Sequence, residues 1–192
     1  GSIGEEDIRQ MIQKRELFPC FFGSALKMDG IDELLAALSE YTKIPEYPGE
    51  FGATVFKITR DAQGSRLTHL KVTGGVLKAR NLLSGHKQNK AEDIWEEKVN
   101  QIRIYSGEKY ETKDEVEAGT ICAVTGLSYT YPGEGLGSQE ESELPILEPV
   151  LTYELILPDG VQPQAMMPKL AMLEEEEPEL HIVWNEELQE IK

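Results

Sequence analysis

Along residues 5–16, EEDIRQMIQKRE, apolar side chains fall at Ile8, Met11 and Ile12, with acids leading and bases trailing as a helix dipole favours. The spacing predicts a short amphipathic helix. From Leu17 to Phe22 the pattern becomes a continuous apolar run broken only by Pro19, the signature of a strand buried on both faces of a parallel sheet, and Gly23 ends it. Asp29 and Gly30 then precede Ile31, Leu34, Leu35 and Leu38 at i, i+3, i+4 and i+7, which predicts a second amphipathic helix to about Tyr41. Helix, strand and helix make one and a half turns of an α/β fold, too small to stand as a domain.

Pro45, Pro48 and Gly49 mark a linker, and beyond it the helical spacing disappears. Short alternating stretches follow: ATVFKITR, LTHLKVTG, VLKARNLL, EKVNQIRIYSG and TICAVTGL, separated by glycines. Strands with turn signals at this frequency predict a closed or nearly closed antiparallel β-barrel over residues 48–148. The segment YPGEGLGSQEESE from Tyr131 to Glu143 is expected to be a loop, because no helix or βαβ unit follows its glycines.

From residue 149 the grammar changes again. LTYELILP reads as a strand, VQPQAMMPKLAMLEEEEPEL contains a helix, and HIVWNEELQEIK returns to strand alternation. Pro163 and Pro168 are expected before or within the first helical turn, where a missing amide proton costs little, and Pro178 ends the helix. Such a piece is the first half of a split βαβ, ferredoxin-like unit. The fold class expected is therefore multidomain: the end of an α/β domain at 3–47, a β-barrel at 48–148 and a partial α+β ferredoxin-like domain at 149–192. The last piece, lacking its second helix, is expected to be less well ordered than the barrel or to be completed by crystal or partner contacts.

Charge refines this picture. The net charge is −16, which alone argues against a nucleic-acid partner, yet Thr54 to Ser106 carries ten basic residues against five acidic ones. That is a local +5, leaving −21 elsewhere, and it is compatible with one RNA-facing surface or with ordinary solvated strands. No stretch approaches the roughly 20 apolar residues of a membrane helix. A soluble, cytoplasmic chain with no membrane and no DNA partner is expected. Cys20 and Cys122, in apolar strand-like settings about a hundred positions apart, are expected to be buried free thiols. Gly1 and Ser2 read as a cloning remnant, so the chain is expected to be an internal piece of a longer protein.

Candidate chemistry is sparse. His69, His86 and His181 have no Cys or carboxylate at ligand spacing, no serine sits in a G-x-S-x-G elbow, and Glu174 to Glu177 reads as the solvated end of a helix. Trp184 is expected in a core, and Trp95, within KAEDIWEEKVN, has no evident place. No metal site and no catalytic residue are expected.

FFGSALKMDGIDELLAAL resembles the last guanine-contacting motif and final helix of the nucleotide domain in translational GTPases. FGATVFKITR, GSRLTHLKVTGGVLKARNLL and EKVNQIRIYSGEKYETKDEVEAGTICAVTGL resemble their second domain, a β-barrel, and LTYELILPDG with PKLAMLEEEEPELHIVWNEELQEIK resembles the start of their third. Within the superfamily the wording is most similar to tetracycline-resistance ribosomal protection proteins, relatives of elongation factor G. The strand-GSA-helix run, the VFKI strand, Gly74-Gly75-Val76-Leu77 and the Leu170 to Leu180 pattern carry that resemblance.

The resemblance implies a guanine-binding turn at Ser24, Ala25 and Leu26, acting through backbone amides. It implies GTP and magnesium as cofactors of the full-length protein, and the ribosome as its partner. Small-subunit ribosomal RNA would be met by Arg66, His69, Lys71, Lys78 and Arg80 through phosphate and sugar contacts. GTP hydrolysis is expected of the parent and not of this chain, which contains neither a G-x-x-x-x-G-K-[ST] loop nor an N-K-x-D motif. The alternatives are an elongation factor G-like translocase and, in a different class, a stand-alone β-barrel adaptor with no GTPase activity.

Overall fold

A computed structural model describes residues 4–43, 45–88, 90–142 and 151–192. They form two compact units, Gly1–Glu46 and Tyr47–Lys192. Gly1 and Ser2 lie outside the described residues, and so does the expected boundary near residue 148.

In the first unit, α1 (Glu5–Gln13) begins with Glu5, Glu6 and Asp7, whose charges face the orphan amides of the first turn. Asp7 Oδ2 accepts the Gly4 N–H at 3.0 Å, so the acid at N3 closes the helix start. A 3-10 turn, Ala25–Lys27, follows, and α2 (Ile31–Tyr41) runs where the apolar spacing predicts it. The run from Leu17 to Phe22, expected to be a buried strand, is extended but in no ladder, and Phe18 and Phe22 are 74% and 92% exposed. The reason is physical. A strand needs a neighbour to satisfy its amides and cover its side chains, and no strand among the described residues pairs with it. Cys20, expected to be buried, is exposed for the same reason.

The second unit is mostly β, as the alternation predicts. Its strands are β1 (Gly52–Arg60), β2 (Arg66–Gly74), β3 (Val76–Lys78), β4 (Leu82–Lys87), β5 (Lys90–Lys98), β6 (Gln101–Ser106), β7 (Lys109–Lys113), β8 (Glu115–Glu117), β9 (Ile121–Thr125) and β10 (Gly135–Gly137). Six of them form an antiparallel sheet in the order β10-β1-β2-β9-β6-β7, with β3-β8 and β4-β5 as separate two-stranded pairs. The expected barrel is not closed by strand pairing among the described residues. Instead β3, β4, β5 and β8 cover the inner face of the sheet through Leu77, Leu83, Trp95 and Val116, which share one core with Val55, Ile58, Leu70, Val72, Ile102 and Leu136. Full burial of each large side chain contributes roughly 1.5–3 kcal/mol. Trp95 thereby finds its place. Cys122 is in the same core, where burial pushes its thiol up to about 12 and leaves it unreactive at neutral pH.

VLKARNLL, which alternates like one strand, is two: Arg80 takes φ +71° between β3 and β4, breaking the ladder. The glycine-rich segment expected to be a loop contributes β10, paired with β1 through Gly52–Thr54. Beyond residue 150, the expected strand at 151–158 forms no ladder; Leu155 N–H donates to Ile191 O at 2.8 Å. Then come α3 (Pro163–Glu176) and a short hairpin of β11 (Trp184–Asn185) and β12 (Glu190–Ile191). Pro163 is at the first helical position as expected, but Pro168 lies inside α3, where it gives up a backbone bond to Gln164. Trp184 is only half-buried. No helix among the described residues is long and apolar enough to cross a membrane.

Candidate functional site

In the turn at Ser24, Ala25 and Leu26, Ser24 and Asp29 exchange backbone bonds, Ser24 N–H to Asp29 O at 2.9 Å and Asp29 N–H to Ser24 O at 3.1 Å. Lys27 N–H closes the 3-10 turn on Ser24 O at 3.0 Å. The Ser24 amide is therefore engaged, while those of Ala25 and Leu26 are the first of a 3-10 turn and have no acceptor within it. Gly30 takes φ +75°, and a Cβ there would lie 2.7 Å from Phe22 O, so the pinch behind the turn needs glycine. Leu26 is 96% exposed. Among the described residues no group of three or more His, Cys, Asp and Glu side chains offers a metal site.

The five residues expected to face RNA are distributed unevenly. His69 and Lys71 lie on the outer face of β2, because Leu70 and Val72 alternate with them into the core. Lys71 is exposed. His69 is half-buried; its Nε2 and Thr59 Oγ1 share a hydrogen bond at 2.7 Å, and burial, then Lys57, lowers its pKa, so it is neutral at pH 7. Lys78 is exposed on β3 beside Glu115, Nζ to Oε2 3.1 Å, and Arg80 is exposed on the turn after it. Arg66 has a different character. Its Nη1 donates to Thr68 Oγ1, Leu127 O and Thr130 Oγ1, and Nη2 to Thr130 O, so it pegs the 127–130 segment against β2.

Two features escaped the sequence pattern. The acidic end of α3, expected to be solvated, is clamped on β1 and β2: Arg60 Nη2 donates to Glu175 Oε2 at 2.8 Å, Arg66 Nε to the same oxygen at 3.3 Å, and Lys57 Nζ to Glu177 Oε1 at 3.2 Å. An i, i+1 run of acids carries no sign of which cations it meets across more than a hundred residues. The second is Glu134, buried in the glycine-rich segment. Its carboxylate accepts Trp95 Nε1–H at 3.1 Å and the Tyr131 amide at 3.3 Å, and burial pushes its pKa up to about 7. Gly85 makes room, since a Cβ there would lie 2.2 Å from Glu134 Oε1 and 2.7 Å from the Trp95 ring.

The described residues thus comprise a small helical unit with a 3-10 turn at Ala25–Lys27 and a mostly antiparallel β unit that carries exposed lysines on one side and the clamped acidic end of α3. No family model matches the chain. It is 29% identical to elongation factor G of two strains of Ureaplasma parvum serovar 3, over 96% of this chain and 30% of each relative. Elongation factor G of Ureaplasma urealyticum serovar 10 matches at the same identity and coverage. A crystal structure of a Thermus thermophilus protein shares the fold, with a TM-score of 0.72 and 22% identity over 97% of this chain and 29% of that one. The chain is thus similar to elongation factor G along nearly all of its own length, and it spans about 30% of the length of the curated relatives it matches.

Proposed function

We infer that this chain is the part of a ribosome-binding translational GTPase that docks on small-subunit ribosomal RNA, with residues 3–47 ending its nucleotide domain, 48–148 forming its second domain and 149–192 beginning its third. The carrying observation is the alignment with elongation factor G along 96% of the chain. The exposed Lys71, Lys78 and Arg80 supply charge for phosphate contacts; His69, neutral at pH 7, supplies a hydrogen-bonding ring instead. Arg66 holds the surface from beneath. The whole protein would bind GTP with magnesium, engage the ribosome in the cytoplasm and leave after hydrolysis. The fit to GTP in this chain is limited to the base edge, through the Ala25 and Leu26 amides.

The finer assignment is a tetracycline-resistance ribosomal protection protein, supported by the wording of the 18–38 and 170–180 segments. The second reading is a translocase, supported by the names of the relatives. The full-length protein separates them: a protection protein releases tetracycline from ribosomes, and a translocase sustains peptide synthesis in extracts depleted of elongation factor G. For the docking surface, Lys71→Glu with Lys78→Glu is expected to lower cosedimentation of this chain with small ribosomal subunits at least tenfold at low salt. Undiminished cosedimentation would remove the docking assignment.

A further inference from the structure

Phe56, His69, Tyr105 and Tyr110 form a continuous row of rings across the outer face of the six-stranded sheet. Successive centroids are 6.1, 6.2 and 5.3 Å apart. Each ring is there for a local reason. Phe56 is the extra residue of a bulge in β1: Val55 pairs with Leu70 and Lys57 with His69, so Phe56 and Lys57 both leave the core side, and Phe56 is 47% exposed. His69 alternates outward on β2 between Thr68 and Leu70, both buried. Tyr105 and Tyr110 are directly paired across the β6-β7 hairpin and remain 37% and 46% exposed. Between β2 and β6, the strand position opposite both His69 and Arg103 is Ala123, whose methyl leaves the rings room to meet.

A row of half-exposed rings is not required by the core, which lies on the other face of the sheet. What accompanies it indicates its occupant. Arg103, buried and paired with Asp61 at 3.0 Å, braces the row with its guanidinium 4.4 Å from the Tyr110 centroid, and Lys71 is exposed two residues from His69 on the same strand face. Half-exposed aromatic rings with an exposed lysine beside them, in a stretch of local charge +5 within an acidic chain, match unpaired bases on a phosphate backbone.

We propose that this aromatic row is a stacking platform for unpaired bases of RNA. The proposal rests on the RNA-docking reading above and sharpens it: the contact includes base faces as well as phosphates. Stacking is tolerant of base identity, so the platform selects single-stranded or looped RNA over duplex, whatever its sequence.

The test uses the intact chain and fluorescent nine-nucleotide probes at low salt: oligouridylate, its abasic counterpart, and a duplex of equal length. Oligouridylate is expected to bind at least fivefold more tightly than the abasic strand and than the duplex. Tyr105→Leu with Tyr110→Leu is expected to erase that preference, and Tyr105→Phe with Tyr110→Phe to keep it. Circular dichroism melting confirms that both pairs fold; if the leucine pair does not, Phe56→Leu provides the ring deletion. Equal binding of base-bearing and abasic strands, lost on Lys71→Glu, would overturn stacking and leave phosphate docking intact. Preference for the duplex would do the same. Failure of all three probes to bind would overturn the platform and the docking reading together, and would turn the row into a candidate protein contact.

Discussion

Glu134 shows how one side chain sets a response of the whole unit. Its carboxylate is held against Trp95 by a hydrogen bond that favours the charged form, but burial outweighs this and raises its pKa from the ordinary 4.5 to about 7. The sign follows from which state keeps the proton. Between about pH 4.5 and 7 the unfolded chain releases this proton while the folded chain retains it, so stability falls as pH rises through that window. A shift of this size corresponds to on the order of 3 kcal/mol at pH 8. Glu134→Gln keeps an oxygen for the Trp95 N–H and removes the charge. The variant is expected to melt several degrees above the parent at pH 8 and within a degree or so of it at pH 5, with melting followed by circular dichroism. Parallel curves across that range would show that Glu134 is charged at no cost. Nothing in the sequence signals this group, since an acid among glycines reads as a solvated loop. Only the long-range arrival of Trp95 and the vacancy at Gly85 bury it.

At the scale of elements, periodicity predicted what neighbours in sequence decide and missed what distant partners decide. Both helices of the first unit, β1, β2, β9 and α3 stand where the apolar spacing puts them. The 17–22 run failed as a strand because a strand is defined by its neighbour, and VLKARNLL failed as one strand because Arg80 adopts a left-handed turn that arginine rarely takes. The outer ring row needed a bulge at Phe56, invisible to strict alternation. The docking of α3 is the clearest case, because Glu175 accepts from both Arg60 and Arg66 across more than a hundred residues. Glu175 is 42% exposed on its side chain, so the clamp is worth about 1 kcal/mol and is screened by salt. Glu175→Gln is expected to raise amide exchange in α3 by roughly fivefold while β2 and β9 stay protected. Added salt at about 0.5 M should reproduce the effect in the parent and add little in the variant. Unchanged exchange in α3 would mean that Leu170, its one buried apolar residue, holds the helix without the acids.

For the chain as a whole, the balance between what it contacts and what a nucleotide needs gives a sharp expectation. In the proposed reading the turn at 24–26 would offer two backbone amides to a base, and each hydrogen bond contributes about 1 kcal/mol net. Even millimolar affinity requires about 4 kcal/mol, so the turn alone falls short by roughly half. The missing part belongs to phosphates and magnesium, the largest charges of the nucleotide, and the 192 residues contain no G-x-x-x-x-G-K-[ST] loop to cradle them. GTP titrated to about 1 mM with magnesium into this chain is therefore expected to give no saturable heat in calorimetry, and no phosphate release. The same chain should still cosediment with small ribosomal subunits, because the charges and rings assigned to RNA lie on β1, β2, β3, β6 and β7 and need no nucleotide. Nucleotide-independent ribosome binding with silent GTP chemistry would place docking and hydrolysis in separable parts of the polypeptide. Saturable GTP binding below about 1 mM would instead mean that the exposed surface around Phe22 and Leu26 recognises far more of the nucleotide than a base edge.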